Sequence, residues 1–486
     1  MQKKGSVVST QKKQAVIIGA GPAGLTAGIE LLKTEQIDVT ILERDAVIGG
    51  LARTNEYKGY RYDIGPHHFI TSSDEVMKWW LDVMSDDFHP HKRYTRIFYN
   101  NHFFNYPLDP YNVITGLSLL ECFKCVFSYI KVRLFPIKNA KTFQDWITNR
   151  FGFRLFSIFF KTYTEKVWGI TCDKISSDWA AQRIKGFSLS QAIFYAFFGR
   201  WFKKNVPRTL QDTFFYPSLG AGSFWERAAK RLTSLGGSIH LNHGVQKLEH
   251  DGSRITAVMA GDAAGSGSRF EADEFFSTMP LQALIKSLSP LPVQEVIAAA
   301  EALRYRGLIT VNLIIDKGTV IPDHWLYVHE KSVRMGRIGN MNNFSLKMVA
   351  DQNHTALSLE YFAFIEEPFW QTSEADLLKL GAAELEILGI VKASEVIDGM
   401  VTKTAEAYPM YDQNYHTHLG IVLGYLKQFP NLHLMGRNGM HRYNNMDIAM
   451  LSAMHAVNEL KKNLPVFKKQ PVPMKQRGQG AQSPPA

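Results

Sequence analysis

The chain has 486 residues, of which 45% are hydrophobic and 12% are aromatic. This composition excludes an intrinsically disordered chain, and the length exceeds what one hydrophobic core usually supports, so we expect two or three interwoven lobes. Three cysteines are too few for a disulfide framework, which favours a reducing, cytoplasmic compartment. The formal net charge of +10 favours an anionic partner, but no signature of a nucleic-acid-binding module is present, so we exclude nucleic acid.

The first predicted element is an apolar strand that runs directly into a glycine-rich turn. Residues 15–25 read AVIIGAGPAGL, and a helical pattern over 26–33 and a second strand over 39–42 follow. The glycines of this G-x-G-x-x-G segment permit a tight turn and let the backbone approach a pyrophosphate at the positive end of the helix. Glu43, at the end of the second strand, is placed to accept hydrogen bonds from a ribose. The sequence therefore predicts an α/β, Rossmann-like dinucleotide-binding domain.

A second glycine pair, Gly49-Gly50, lies just past this acidic strand end. A nicotinamide-binding unit does not need it, whereas a glycine pair here lets a second backbone segment approach an extended cofactor. The whole pattern resembles the two-dinucleotide-binding-motif flavoproteins, in which the N-terminal unit holds FAD. The resemblance implies FAD as the cofactor, bound by Gly19, Gly21, Pro22, Ala23, Gly24, Glu43, Arg44, Gly49, Gly50, Leu51 and Ala52.

A strand pair and then a helical region follow. Residues 96–108 predict two strands joined by a tight turn at Asn100-Asn101, and they complete the first part of the dinucleotide-binding domain, 14–110. Over 111–214 the hydrophobic period becomes helical, with aromatic and basic faces. We assign this region to a helical substrate lobe.

Two segments of that lobe, Leu117–Phe135 and Phe187–Lys204, are rich in aromatic residues and interrupted by basic ones. Neither offers about 20 uncharged residues, so neither is a transmembrane span. We favour buried helices for both, with a basic amphipathic face at a membrane surface as the alternative. Cys122 and Cys125 lie in the first segment; since no second pair completes a zinc site, we favour packing over a metal or redox role.

The second half of the chain returns to a β pattern. We expect 215–285 and 420–464 to complete the FAD-binding domain together with 14–110, so that this domain is discontinuous. The segment 286–419 mixes strands with a helix and is predicted to form a mixed α/β substrate domain. The polar ends show no signal-peptide pattern and should be disordered tails, 1–13 and 465–486.

Four further blocks narrow the resemblance. They read YDIGPHHF at 62–69, YTEKVWG at 163–169 with DWAAQRI at 178–184 just after, AYPMYDQN at 407–414 and GRNGMHRYNNMD at 436–447. Together they resemble the branch of the amine-oxidase/protoporphyrinogen-oxidase superfamily that contains UDP-galactopyranose mutase. The T-E-K-x-W-G run and the G-R-x-x-x-x-x-Y-x-x-M-D run are the specific parts. The resemblance covers nearly the whole chain apart from its ends.

This resemblance implies roles for particular residues. Arg437, His67 and Tyr443 are implied at the reacting centre, and Val245 is implied to hold the adenine through its backbone. The resemblance also implies a loop against one face of the flavin and a helix start at its pyrimidine ring. The residues implied in these two contacts are Gly65, Pro66, His67, His68, Gly436, Arg437, Met446, Asp447 and Ile448. The substrate side is implied to be lined by Trp168, Arg183, Tyr408 and Tyr411.

The residues by themselves leave alternatives open. Arg183 could make a structural ion pair instead of holding a phosphate, and Trp168 could serve core packing. Asn445 or Asp447 could simply cap the last helix. His67 and its neighbour are not a metal pair, because adjacent side chains of an extended chain point to opposite sides, and we predict no metal site.

Two features depart from the mutase pattern. Ile70 stands where the mutase loop carries a second histidine, and the middle substrate strands lack an expected second phosphate-binding arginine. Arginines that could replace it are Arg304, Arg306, Arg334 and Arg337.

Three functions remain open at this point. The first is an isomerase that acts on a phosphate-bearing sugar through N5 of reduced flavin. The second is an oxidase or desaturase of a lipophilic substrate, with its aromatic segments at the inner face of a membrane. The third is a flavin-binding protein without turnover. We favour the first.

Overall fold

The computed structural model describes residues 12–179, 213–262 and 266–462. The strands in these ranges are β1 Lys13–Ile18, β2 Ile37–Leu42, β3 Thr54–Tyr57, β4 Tyr60–Asp63, β5 His89–Lys92, β6 Thr95–Tyr99, β7 His102–Asn105, β8 Thr213–Tyr216, β9 Ser238–His240, β10 Gly244–His250, β11 Ile255–Gly261, β12 Gly267–Glu271, β13 Glu274–Ser277, β14 Leu288–Ser289, β15 Tyr305–Ile315, β16 Trp325–Val328, β17 Arg337–Asn340, β18 Thr355–Ala363, β19 Val396–Pro409 and β20 Leu432–Leu434.

The helices in the same ranges, numbered in chain order, are α1 Pro22–Leu32, α2 Asp74–Met84, α3 Pro110–Gly116, α4 Leu119–Leu134, α5 Phe143–Phe151, α6 Phe153–Phe156, α7 Thr162–Trp168, α8 Ala221–Ser234, α9 Leu281–Ser287, α10 Gln294–Ala302, α11 Met341–Phe344, α12 Glu374–Ile387, α13 Tyr415–Leu426, α14 Gly436–Gly439 and α15 Met446–Lys461. A π-helical turn, Ser157–Lys161, joins α6 to α7.

A parallel sheet forms the dinucleotide-binding layer. Within the described ranges its five strands run in the order β20-β13-β1-β2-β9, and every neighbouring pair is parallel. Helix α1 packs against α8 and α15. Both faces of a parallel sheet are covered, which explains why the end of β1 is an uninterrupted buried apolar run. The strands come from all three chain segments expected to share this domain; its boundaries stay a prediction.

A larger mixed sheet forms the substrate side. In the part of the chain that the structure describes, it has seven strands in the order β19-β15-β18-β17-β16-β6-β7. Strands β6 and β7 join it because β6 pairs in parallel with β16. This corrects the assignment of 96–108 to the dinucleotide-binding domain, because the alternating pattern predicts a strand but not its distant partner. The tight turn is confirmed, since Asn100 and Asn101 have positive φ angles of 51° and 58°.

A buried carboxyl group holds the start of α8. This helix begins at Ala221, directly after Gly220 with φ +92°. The backbone N–H of Ala221 donates to the carboxyl of Asp63 at 3.2 Å, which occupies one of the free donors of the helix start. The last helix, α15, begins at Met446. The predicted tails lie outside the described residues except for Lys12 and Lys13, and Lys13 is the first residue of β1.

Helix α4 is amphipathic, but its apolar side is turned away from the protein. Ser118 caps the helix by accepting from the N–H of Glu121 at 3.3 Å, and Val132 is the one residue of this helix that is buried. We call its exposed apolar residues the apolar face; they are 49–72% exposed and comprise Leu119, Leu120, Phe123, Val126, Phe127, Ile130 and Leu134. This corrects the preference for a buried helix over Leu117–Phe135.

The physical reason for that error is general. A helical hydrophobic period shows that one face is apolar, but not whether the protein itself covers that face. The second segment in question, Phe187–Lys204, lies outside the described residues. Across the ranges that the structure describes, no helix has the length and apolar character that crossing a bilayer demands.

Candidate active site

The first glycine segment links β1 to α1, and its glycines have different tasks. Gly19 has φ +102°, and a Cβ on Gly24 would lie 1.9 Å from the carbonyl oxygen of Gly19, so both are needed for the turn itself. Gly21 is different, because a Cβ there would meet no atom closer than 3.8 Å. Helix α1 begins at Pro22, and no side chain in the described ranges caps it. Its first N–H groups are therefore available to an anion.

The second glycine pair lies against this loop. The N–H of Gly49 donates to the carbonyl of Ala20 at 2.9 Å, and a Cβ on Gly50 would lie 3.3 Å from Cα of Gly21. Glu43 is 7% exposed and accepts from the N–H of Ala20 at 2.7 Å. The fold thus brings together the two glycine segments and the carboxylate, which are separated in the sequence.

The other residues implied in this region lie around it. Arg44 forms an ion pair with Glu406 at 3.1 Å. Strand β10, which carries Val245 near its start, is tied to β2 because the N–H of His243 donates to the carbonyl of Glu43 at 2.8 Å. Ala23 lies in contact with Gly436, where an added Cβ would be 3.1 Å from Cβ of Ala23. Leu51 and Ala52 lie in a short 3-10 turn, Gly50–Ala52. Their contacts with a cofactor stay a prediction.

A cavity of about 420 Å³ lies between the glycine segments and the mixed sheet. This volume is within the ordinary range of small-molecule sites. Residues implied in the site that line it are Leu51, Gly65, Pro66, His67, His68, Tyr408, Arg437, Tyr443, Met446 and Ile448. Polar and aromatic residues that line it without having been singled out for it are Arg93, Tyr106, Trp325, Tyr327, Arg442, Asn444 and Asn445.

The loop after β4 places two histidines on the cavity wall in different settings. Burial, together with the charges of Arg437 and Arg337, lowers the pKa of His67 to about 3, so its imidazole is neutral near pH 7. Its buried Nδ1 has no hydrogen-bond partner among the described residues. His68 stacks on Trp325 with ring centroids 4.8 Å apart. His67 therefore offers a neutral nitrogen to a bound molecule.

Arg437 is held in place by carbonyl groups and aromatic rings. Its Nε–H donates to the carbonyl of Asn444 and an Nη1–H to that of Ala407, both at 2.9 Å. The guanidinium carbon lies 4.8 Å from the ring centroid of Tyr443 and 5.7 Å from that of Tyr408. Those two rings stack on each other at 5.7 Å. The structure thus brings these three implied residues together on one wall.

The start of α15 presents further polar groups. Asn445 occupies the N-cap position, but its side chain makes no capping hydrogen bond, and Asp447 lies buried in the first turn. Asn444 is 3% exposed, and neither polar atom of its amide has a partner in the described ranges. Buried polar groups are normally paired, so such an amide on a cavity wall fits a polar ligand. With the open glycine cradle, these residues fit a cofactor that has a diphosphate and a polar ring.

Trp168 and Tyr411, which are implied to contact substrate, do not line this cavity, and their role stays a prediction. They are 1% and 2% exposed, and their ring centroids lie 6.2 Å apart. The hydroxyl of Tyr411 accepts from the N–H of Tyr443 at 2.6 Å, so it supports the wall from behind. The reason is that α7 ends at Trp168 and turns this side chain into an aromatic cluster. Arg183 lies outside the described residues.

Of the four arginines considered as a second phosphate ligand, Arg337 alone lines the cavity, all four being described. It makes a two-pronged ion pair with Glu360, with Nε to Oε1 at 2.7 Å. Burial acts to lower the pKa of Arg337, but the carboxylate outweighs it and the pKa is raised. Arg306 is buried against Glu367. The remaining two, about half exposed, are Arg304 and Arg334.

Glu360→Ala is expected to destabilise the protein by about 3–5 kcal/mol, because it leaves the charge of Arg337 buried and unpaired. Calorimetry should record a clear drop in the unfolding midpoint. The matched control is Glu271→Ala, which removes a 73% exposed partner of Arg269 and should leave the midpoint nearly unchanged. Equal losses in the two variants would contradict this assignment.

The cavity wall is cationic. Four arginines line it, namely Arg93, Arg337, Arg437 and Arg442. No aspartate or glutamate among the described residues lines it. Arg442 and Asn444 lie inside the 436–447 run, so that block could have indicated them, whereas no motif marks Arg93.

No metal centre is apparent in the ranges that the structure describes, since no three histidine, cysteine or acidic side chains are grouped to hold an ion. The three cysteines are free. Burial raises the pKa of Cys125 to about 11, which disfavours a reactive thiolate.

A family model described as flavin containing amine oxidoreductase matches residues 22–460. Among solved structures, a crystal structure of reduced UDP-galactopyranose mutase superposes with a TM-score of 0.77 at 20% identity, covering 93% of this chain and 95% of that chain. A putative protoporphyrinogen oxidase from Exiguobacterium sp. 255-15 has a TM-score of 0.71 at 15% identity, covering 93% and 100%. At these identities the likeness shows the fold alone.

A curated relative matches over a shorter stretch. The 1-hydroxycarotenoid 3,4-desaturase of Flavobacterium sp. (strain P99-3) is 38% identical over 76 residues, which is 15% of each chain. The chain thus spans about 15% of the length of that relative in this match.

Proposed function

The chain belongs to the flavin containing amine oxidoreductase family, and on this premise we propose that it binds FAD and isomerises a phosphate-bearing sugar. The proposal of FAD rests on the two facing glycine segments and the uncapped start of α1. An FMN-type flavin has no diphosphate to occupy such a cradle, whereas FAD does. Glu43, buried at the end of β2, supplies a carboxylate for the ribose beside it.

The proposal of a phosphate-bearing substrate rests on one observation, the excess positive charge of the cavity wall. Glu360 neutralises Arg337. By contrast, Arg437 donates hydrogen bonds to two carbonyl groups, which leave its charge in place. Arg442, which also lines the cavity, adds to it. A wall with these cations and without a lining carboxylate favours a phosphate or diphosphate group.

The chain's own residues would share the work of such a reaction. A bound flavin, when reduced, supplies the nucleophilic N5 that this isomerisation needs. Arg437 would hold the sugar phosphate and stabilise the negative charge that develops as the phosphate leaves the anomeric carbon. Burial raises the pKa of Tyr408, so its hydroxyl stays protonated and can donate a hydrogen bond. The neutral imidazole of His67 can accept one.

The test is a comparison of oxidised and dithionite-reduced protein, without oxygen, against nucleoside diphosphate sugars such as UDP-galactose. We expect an isomeric sugar product, detected by NMR, only with reduced protein and without net consumption of reductant. Bleaching of the oxidised flavin by the substrate, with product formation that requires an electron acceptor, would contradict the isomerase.

A second candidate is an oxidase or desaturase of a lipophilic substrate. The observation that favours it is the exposed apolar face of α4, which belongs to the helical region beside the cavity wall. Repeating the anaerobic experiment with an isoprenoid lipid in place of the nucleotide sugar separates the two, because an oxidase or desaturase transfers electrons from such a substrate to the oxidised flavin and an isomerase does not.

A further inference from the structure

The apolar face of α4 forms one continuous stripe. At about 100° per residue its seven members fall within an arc of roughly 120°. Lys124 and Lys131 border this arc on one side, and Arg133 borders it on the other. The opposite side of the helix carries Val132 and Cys125, which pack towards the protein. The stripe therefore faces outward along the whole length of the helix.

The charge around the stripe is strongly positive. Between residues 111 and 141 there are five basic residues and one acidic residue, Glu121. That carboxylate accepts from Lys124 at 2.8 Å and from Nε of Arg154 at 2.7 Å, so two cations already engage it. Beyond the helix, Phe135 and Ile137 extend the exposed apolar surface, at 75% and 39% exposure.

We propose that the apolar face of α4 docks the protein on a bilayer surface that contains anionic lipids. An amphipathic helix with a basic border lies in the plane of the interface, with its apolar side among the acyl chains and its lysines and arginines at the headgroups. The helix has 16 residues and basic side chains along it, so it lies on the bilayer and does not cross it. This inference is independent of the substrate in the cavity.

Charge complementarity favours a lipid surface over a second copy of the chain. A two-fold dimer through α4 would place the same surface patch on both subunits. Because basic residues border the stripe on both sides, such a dimer would bring Lys124, Lys131 and Arg133 of both subunits to one interface, and like charges repel. Anionic headgroups, in contrast, attract each basic residue by an amount that corresponds to about a fivefold gain in partition.

The test uses the full-length flavin-loaded protein and co-sedimentation with vesicles. We expect binding to vesicles of phosphatidylcholine and phosphatidylglycerol in equal parts, and much weaker binding to phosphatidylcholine alone. Phe123→Gln combined with Phe127→Gln should lower the partition at least about tenfold. The matched control is Leu291→Gln with Val293→Gln, which removes two equally exposed apolar side chains elsewhere and should bind as the wild type does.

A charge variant tests the second half of the proposal. Lys131→Glu combined with Arg133→Glu should lower the partition on the mixed vesicles by about 30-fold or more and remove its dependence on salt. Flavin absorbance and circular dichroism identical to those of the wild type establish that each variant is folded. The proposal is overturned if the wild-type protein does not bind the mixed vesicles. It is also overturned if the phenylalanine variant binds them as well as its control does. A wild-type dimer that the phenylalanine variant makes monomeric, with no vesicle binding, assigns the stripe to a subunit interface instead.

Discussion

Gly21→Val is expected to yield a folded protein that no longer retains its flavin. The backbone at Gly21 is extended, with φ −83° and ψ −173°, which a valine readily adopts. A side chain there meets no protein atom closer than 3.8 Å at its Cβ, so the polypeptide tolerates it. The volume it fills is the gap between the two glycine segments, where the diphosphate is proposed to lie. Absorbance near the flavin maximum should therefore disappear while the circular dichroism stays unchanged.

Two further glycines make this prediction specific. Gly420→Val is the matched control, because a Cβ at this exposed position of α13 has no neighbour within 4 Å, and the variant should stay yellow. Gly24→Val should instead impair folding, since a Cβ there would lie 1.9 Å from the carbonyl oxygen of Gly19. A Gly21→Val protein that is isolated with a full complement of flavin would contradict the proposed position of the diphosphate between the two glycine segments.

Arg437→Met is expected to weaken the binding of UDP to the flavin-loaded protein by about 100-fold. A charged hydrogen bond to a phosphate contributes about 1.5–3 kcal/mol, and methionine retains the length of the side chain without its charge. The flavin should be retained, because the glycine cradle is untouched. Calorimetric titration with UDP measures the affinity, and flavin absorbance reports the integrity of the site.

Conservative and distant replacements serve as controls for Arg437. Arg437→Lys keeps the charge and should recover part of the affinity, although lysine cannot reproduce the planar fork. Arg334→Met removes a half-exposed arginine that does not line the cavity and should leave UDP binding unchanged. Wild-type affinity in Arg437→Met would exclude this residue from phosphate recognition. Loss of flavin in that variant would assign Arg437 to the cofactor site instead.

Much of the fold followed from local patterns. The superfamily, the α/β fold with its parallel sheet, and a flavin-dependent enzyme were predicted from the sequence, and the family match over 22–460 confirms them. The turn at Asn100-Asn101 was also predicted, because paired positive φ angles strongly favour asparagine. The assignment of 96–108 to the dinucleotide-binding domain was wrong, since strand pairing with β16 depends on residues more than 200 positions away.

Only part of the candidate site could be predicted from the sequence. Tyr408, Tyr443 and Arg437 lie on the cavity wall, whereas Trp168 and Tyr411, taken from the same set of sequence blocks, lie behind it. A motif shows that an aromatic residue is required at a position. It does not show whether that residue lines the cavity or packs behind the cavity wall, because aromatic residues serve both purposes. Only the positions of neighbouring side chains distinguish these two tasks.

The sequence by itself determined the family, the parallel sheet and the glycine cradle, because close backbone approach and positive φ angles demand glycine at set spacings. The tertiary structure decided the electrostatics of the cavity and the orientation of α4. Arg337 is neutralised by Glu360 from a neighbouring strand, which no local pattern reveals. The apolar face of α4 has the same period whether protein or lipid covers it, so only the packing of the surrounding helices shows that it faces outward.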